Sequence, residues 1–149
     1  MSKKEEKQVF AVDFDGTMVS HEFPLIGKDI GAVPVLRKLI DNGHKIILYT
    51  MRSDKKEVKS KDYNIHQKGS NYLTQAVNWC KANNIPLYGI QTNPSQKNWT
   101  DSPKCYANRY IDDAAIGIPL KIDKNISKNP FVDWTKTEKL LKDEGFIKL

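Results

Sequence analysis

The chain of 149 residues has only two cysteines, Cys80 and Cys105, and no C-x-x-C pair. That leaves no material for a disulfide framework and no zinc-binding pattern. Its three histidines, His21, His44 and His66, show no metal-ligand spacing. No apolar run approaches the ~20 residues that a membrane span needs. The opening "MSKKEEKQ" is charged and lacks an apolar stretch, so it does not read as a signal peptide. Internal repeats, low-complexity segments and long linkers are missing, as are P-loop and G-x-G-x-x-G patterns. These absences exclude a disulfide scaffold, a membrane span, a repeat array and two kinds of Gly-rich phosphate loop. Reduced thiols fit a cytoplasmic protein.

What is present is ordinary in bulk. The length suits one domain over residues 1–149, with 1–7 as a flexible, solvated lead-in. Against 18 Asp+Glu stand 24 Lys+Arg, a net charge of +6. Such a balance favours anionic partners at the encounter stage, and keeps nucleic acid open as one of them.

The apolar pattern alternates between strands and helices. "KQVFAVD" reads as a buried strand. In "AVPVLRKLIDNG", Val35, Leu36, Leu39 and Ile40 share one helical face, and Gly43 supplies the left-handed stop. "HKIILYT" is a second buried strand. "SNYLTQAVNWCKANN" sets Leu73, Ala76, Val77 and Cys80 on one stripe, with Ser70 as N-cap. "IPLYGI" and "RYIDD" complete four strands, and a closing helix runs between Asp133 as N-cap and Gly145 as stop. This alternation predicts an α/β fold: a three-layer, Rossmann-like parallel sheet with helices on both faces and no large cap domain. Ligands of such sheets sit beyond the carboxyl ends of the strands. Those ends read Asp13-Phe14-Asp15, Thr50 and Asp112-Asp113, so polar groups gather along one edge.

Side chains alternate along an extended chain, so Asp13 and Asp15 point the same way. Gly16 lets the chain turn sharply behind them. Two close carboxylates repel, which divides them into an ionised nucleophile or metal ligand and a proton carrier. A D-G-T sequence also makes a good turn without any chemistry.

With its companions, "VFAVDFDGT" resembles the first motif of the haloacid dehalogenase-like (HAD) superfamily of phosphohydrolases. "IILYT" is similar to the second, a Thr ending strand two; Lys104 in "SPKCYANRY" to the third; and "YIDD" to the fourth. The four cover residues 9–113 in order, and the resemblance is to small capless members. Asn108 and Ala114 depart from that subfamily's pattern, where Asp and Arg are common.

The resemblance implies a Mg²⁺-dependent phosphomonoester hydrolase. Asp13 would attack phosphorus and form an aspartyl-phosphate. Asp15 would protonate the leaving oxygen and then take a proton from water. Mg²⁺ would be held by the Asp13 carboxylate, the Asp15 backbone carbonyl and Asp112 or Asp113, a hard-oxygen set. Asp112 is the preferred direct ligand, with Asp113 acting through water or supporting Lys104. Thr50 would bind phosphate oxygens with backbone N–H groups of the following residues, Met51 and Arg52, and the Arg52 side chain is a further candidate contact. Lys104 would neutralise charge on the nucleophile and phosphate.

Each companion also has a plain structural use. Thr50 is a β-branched strand residue, Ser102-Pro103-Lys104 can begin a helical turn, and an acidic pair caps helices well. Their joint order and placement favour the site.

The mouth is less legible. "TMVSHEFPLIGKDIG" and "QTNPSQKNWTDSP" are too short for folded caps but long enough for flaps, and His21 in the first could meet substrate. After Arg52 come Lys55, Lys56, Lys59, Lys61 and Lys68 against Asp54, Glu57 and Asp62, read as a solvated surface with weak steering. Tyr63, Tyr72, Trp99 and Tyr106 are candidates to stack on bases, although scattered aromatics more often pack locally. The expected substrate is a small phosphorylated metabolite, sugar phosphate or nucleotide. The alternatives are a phosphatase on nucleic-acid ends and a catalytically silent binding module. A signalling receiver domain fits less well, because it places its phosphoacceptor on a later strand.

Overall fold

The computed structural model describes residues 7–59 and 65–148. The lead-in 1–6, Lys61, Asp62, Tyr63 and the His66 side chain lie outside the described residues. Lys7 ends the lead-in with its ammonium on the Asn42 carbonyl, 2.8 Å away.

The chain is α/β. Strand β1 (Val9–Val12) leads to helix α1 (Ala32–Asp41) and strand β2 (Lys45–Leu48). Four short strands follow, β3 (Asp54–Lys55), β4 (Val58–Lys59), β5 (Ile65–Gln67) and β6 (Ser70–Asn71), then helix α2 (Tyr72–Ala82). After β7 (Gly89–Ile90) come a 3-10 turn at Gln96–Asn98 and strand β8 (Arg109–Ile111). The hairpin β9 (Leu120–Lys121) and β10 (Phe131–Val132) precedes helix α3 (Trp134–Asp143).

Strands β7, β2, β1 and β8 form a parallel sheet in that order. Putting β1 at the centre, between β2 and β8, brings three strand ends together at its carboxyl edge. The pairing sets Val12 beside both Leu48 and Ile111. Asp13, Tyr49 and Asp112 therefore leave the sheet at one level.

Register also divides the apolar residues between two faces. Phe10, Val12, Ile46 and Leu48 join one large core with Leu36 and Leu39 of α1, Cys80 of α2, and Trp134 and Leu141 of α3. Burying side chains of this size stabilises the fold by about 1.5–3 kcal/mol each. Ala11 and Ile47 on the opposite face pack with Cys105, Val9, Tyr88 and Ala107, and no helix contributes there among the described residues. The expectation of helices on both faces is thus met on one face only. The reason is the β7–β8 connection, which holds one 3-10 turn instead of a crossover helix.

Local signals behave as their chemistry dictates. Gly43 and Gly145 take φ of +87° and +84° at the ends of α1 and α3. Asp133 caps α3 by accepting from the Lys136 N–H at 3.1 Å. Ser70 does not cap α2; it pairs with Lys55 across β3–β6, and Asp54 takes over by accepting from the Thr74 N–H at 3.0 Å. The third strand is shorter than its apolar run suggests, because Pro86 brings no N–H to a ladder. No helix among the described residues is long and apolar enough to cross a membrane.

Candidate active site

At the carboxyl edge of the sheet lies a cleft of about 460 Å³, lined by Asp13, Asp15, Thr50, Met51, Arg52, Asp112 and Asp113. His21, Phe23 and Ala114 complete its wall. Residues separated by up to a hundred positions converge there because β1, β2 and β8 end side by side.

The loop after β1 is tightly wound. The Phe14 carbonyl accepts from the Thr17 N–H at 3.1 Å and the Met18 N–H at 2.8 Å. Gly16 sits at φ +81°, and a Cβ placed on it would collide with the Asp113 carboxylate. Glycine is therefore required twice, for its conformation and for the approach of the acid.

Asp13, Asp112 and Asp113 each place a carboxylate oxygen within 4.8 Å of the others. The Asp13 N–H donates to the Ile111 carbonyl at 2.9 Å, which ties the two strand ends together. Burial, with the Asp112 charge second, pushes the Asp13 carboxyl from its ordinary 3.8 up to about 8. Burial raises Asp113 as well. Three mutually repelling, half-buried carboxylates are an arrangement that a bound cation relieves.

Thr17 is the site residue that the sequence reading passed over. Fully buried, it donates its hydroxyl to Asp13 Oδ2 at 3.1 Å and accepts from the Asp113 N–H at 3.0 Å. Its own carbonyl accepts from the Trp134 indole at 2.7 Å. A chain of contacts thus runs from α3 to two of the three acids. Only the D-G-T spelling signalled this position, and a turn explains that spelling equally well.

Thr50 and Met51 stand in the cleft as expected. The Thr50 hydroxyl accepts from the Arg52 N–H at 3.1 Å, which leaves its own proton for a ligand. Gln91 braces this loop, accepting from the Thr50 N–H at 2.8 Å and donating to the Thr50 and Arg52 carbonyls at 2.6 and 3.0 Å. Nothing in the sequence around Gln91 announces that role.

Arg52 is not free to contact a phosphate through its side chain. The residue is 2% exposed. Nε donates to Asp15 Oδ2 and Nη2 to Asp15 Oδ1, both at 2.8 Å. The remaining donors go to the carbonyls of Leu25, Pro24 and Tyr72 at 2.8, 3.4 and 3.3 Å. Phe14 and Phe23 lie 5.0 and 5.1 Å from its centre. A buried guanidinium must satisfy all five N–H groups, and this one does so on protein alone.

Lys104 is the one predicted catalytic residue outside the cleft. It is exposed, with its ammonium 5.9 Å from the Tyr110 ring, and it forms no ion pair among the described residues. Asp112 accepts from the Ala114 N–H at 2.8 Å, so the acidic pair also shapes the turn that follows it. The stacking candidates pack locally: Tyr72 against Phe23 at 5.2 Å and Trp99 against Tyr106 at 5.5 Å.

The chain is similar to a solved structure, a conserved protein from Bacteroides thetaiotaomicron. The two are 27% identical, the match covers 93% of each chain, and the TM-score is 0.67. No protein-family model matches the chain, and no curated protein does.

Proposed function

We propose that this chain is a Mg²⁺-dependent phosphomonoester hydrolase of the HAD-like type, acting through an aspartyl-phosphate. The observation that carries this reading is the convergence of Asp13, Asp112 and Asp113, with Asp15 and Thr50 in the same cleft. The order of these residues along the chain matches three of the four motifs that the sequence resembles, the first, second and fourth.

The donor set fits a hard divalent cation, since three carboxylates offer oxygen only and burial makes their joint charge costly. Asp13, Asp112 and Asp113 would hold Mg²⁺ with the Asp15 carbonyl. When bound, the ion offsets the charge of both carboxylate and phosphate. Asp13 attacks phosphorus, and the P–O bond to the leaving group breaks. Thr50 donates its free hydroxyl proton to a phosphate oxygen, with the Met51 N–H beside it. Asp15, held by Arg52, faces the same cleft and exchanges the proton with the leaving oxygen and then with water. Lys104 joins when substrate binds: an exposed ammonium over a ring gains about 0.5–1 kcal/mol, less than beside a phosphate dianion.

The substrate class is a small phosphorylated metabolite in a reducing compartment such as the cytoplasm. Both cysteines are free and buried, in keeping with that. Action on nucleic-acid ends has less support, because Trp99 and Tyr106 face each other and not the cleft.

The reading is tested with purified protein, Mg²⁺ and an aryl phosphate. Released phosphate is expected with the native chain and none with Asp13→Asn, whose circular dichroism should match the native spectrum. Comparable turnover by both proteins would refute the nucleophile, and none by either would favour a silent binding module.

A further inference from the structure

We propose that the cleft continues past Arg52 into a second compartment that binds an anionic group on the far end of the substrate. This rests on the phosphatase reading and narrows its substrate class to phosphate esters carrying a second negative charge.

The second compartment measures about 410 Å³ and shares Phe23, Met51 and Arg52 with the first. Its outer wall includes Ser53, Lys55, Lys68 and Ser70, and no carboxylate lines it. The first compartment carries four acids, Asp13, Asp15, Asp112 and Asp113. One wall therefore suits a cation with its phosphate, and the other suits a bare anion.

The two lysines are placed by paired backbone. Lys55 lies opposite Ser70 in the β3–β6 ladder, and Val58 lies opposite Gln67 in the β4–β5 ladder. Lys68 and Gly69 bridge the two ladders. A Cβ on Gly69 would come within 3.2 Å of the Lys55 carbonyl and the Glu57 nitrogen, so the crossing strands are in close contact. Lys55 and Lys68 line the same compartment. The acid nearest in sequence, Asp54, is already committed to Thr74 at the start of α2. Lys55 and Lys68 form no ion pair among the described residues.

Beside Arg52, whose guanidinium is already paired with Asp15, the shared wall is apolar. Met51 is 96% exposed and Phe23 is 47% exposed, and both belong to each compartment. Exposed apolar side chains inside a charged cleft suit an uncharged middle portion of a ligand. The substrate that fits has its transferred phosphate at Asp13, an apolar or ring-like centre at Met51 and Phe23, and a phosphate or carboxylate at Lys55 and Lys68.

The experiment compares three esters of equal length: an alkyl phosphate, the same ester with a terminal carboxylate, and the alkanediol bisphosphate. An aryl phosphate serves as the activity control. The native protein is expected to favour the doubly charged esters by about tenfold in kcat/KM, through KM. Whichever of the carboxylate and bisphosphate is preferred identifies the second anion. In Lys55→Met, Lys68→Met and the double variant, that preference should fall stepwise toward one. A native ratio near one, or a ratio that survives both substitutions, overturns the second compartment and leaves the phosphatase reading standing. If no ester is hydrolysed, the aryl control included, both fall together.

Discussion

Arg52 grips Asp15 by both carboxylate oxygens at 2.8 Å and ties the pair to the carbonyls of Pro24, Leu25 and Tyr72. The grip joins three separate pieces of chain: the turn after β1, the loop at 23–25 and the start of α2. Bidentate pairing of this kind needs a planar fork. Lysine supplies charge but a single point of contact, so Arg52→Lys should lower kcat/KM by about tenfold or more through misplacement of Asp15. Arg52→Met should cost about 3–5 kcal/mol of stability, since it leaves a carboxylate and three carbonyls unpaired in a closed space. Urea titration measures the second effect. A loss below about 1 kcal/mol would mean that the 23–25 loop and Asp15 hold their positions without Arg52.

The acid cluster sets a pH dependence whose sign follows from its cause. Burial and the neighbouring Asp112 raise Asp13 from 3.8 to about 8 in the folded chain. Folding then favours the protonated carboxyl, and that stabilisation is complete below the unfolded value. It is lost as pH rises through the folded one. Without divalent cations, the melting temperature should fall between about pH 4 and pH 8. Mg²⁺ at pH 8 should restore it, and Asp13→Asn at pH 8 should raise the unfolding free energy by on the order of 1 kcal/mol, and the melting temperature with it. Scanning calorimetry with EDTA and with Mg²⁺ tests this. A metal-free melting temperature that is flat across the window would show that the three acids do not strain one another.

His44 contributes the opposite slope at lower pH. Its Nδ1 accepts from the Gln8 N–H at 3.0 Å, so its Nε2 carries the proton given to the Phe146 carbonyl at 2.8 Å. The neutral ring thus ties the start of β1 to the end of α3. Burial lowers the imidazole from its ordinary 6.5. Folding favours the neutral form; that stability is present above 6.5 and is lost as pH falls below it. Relative to His44→Gln, the native chain should therefore become easier to unfold with urea from about pH 6.5 downward, whatever slope the acid cluster adds to both. A midpoint that depends on pH in the variant as it does in the native chain would locate the acid sensitivity elsewhere.

How much of this was readable beforehand depended on whether the cause was local. The strand ends at Asp13, Thr50 and Asp112 follow from apolar runs that stop, and the Gly43 and Gly145 stops follow from a backbone conformation few other residues adopt. Positions set by distant partners left no local trace. Thr17 is a turn residue until Asp113, 96 positions away, brings its N–H to the hydroxyl. Arg52 reads as a free cation because its five acceptors come from residues 15, 24, 25 and 72. The second face of the sheet lost its expected helix for a related reason. The segment between β7 and β8 folds through Asn93 and Gln96 side chains bonded to the Tyr106, Ser102 and Lys104 carbonyls, and no helical periodicity marks such a loop.

Lys104 rests away from the place where the proposed reaction would use it. Its ammonium rests over Tyr110, on the strand that delivers Asp112 and Asp113 to the cleft. The backbone beneath it is secured, since its carbonyl accepts from Gln96 at 2.9 Å, so only the side chain has to move. A doubly charged phosphate bound at Asp13 would attract it more strongly than an exposed ring does. Lys104→Met should then lower kcat by about tenfold or more while costing the free protein no more than about 1 kcal/mol, the worth of an exposed ammonium over a ring. Lys104→Arg should recover part of the rate. Measured kcat values for the native chain and both variants decide the matter: if Lys104→Met turns over as fast as the native protein, the ammonium stays on Tyr110 and the phosphate is neutralised without it.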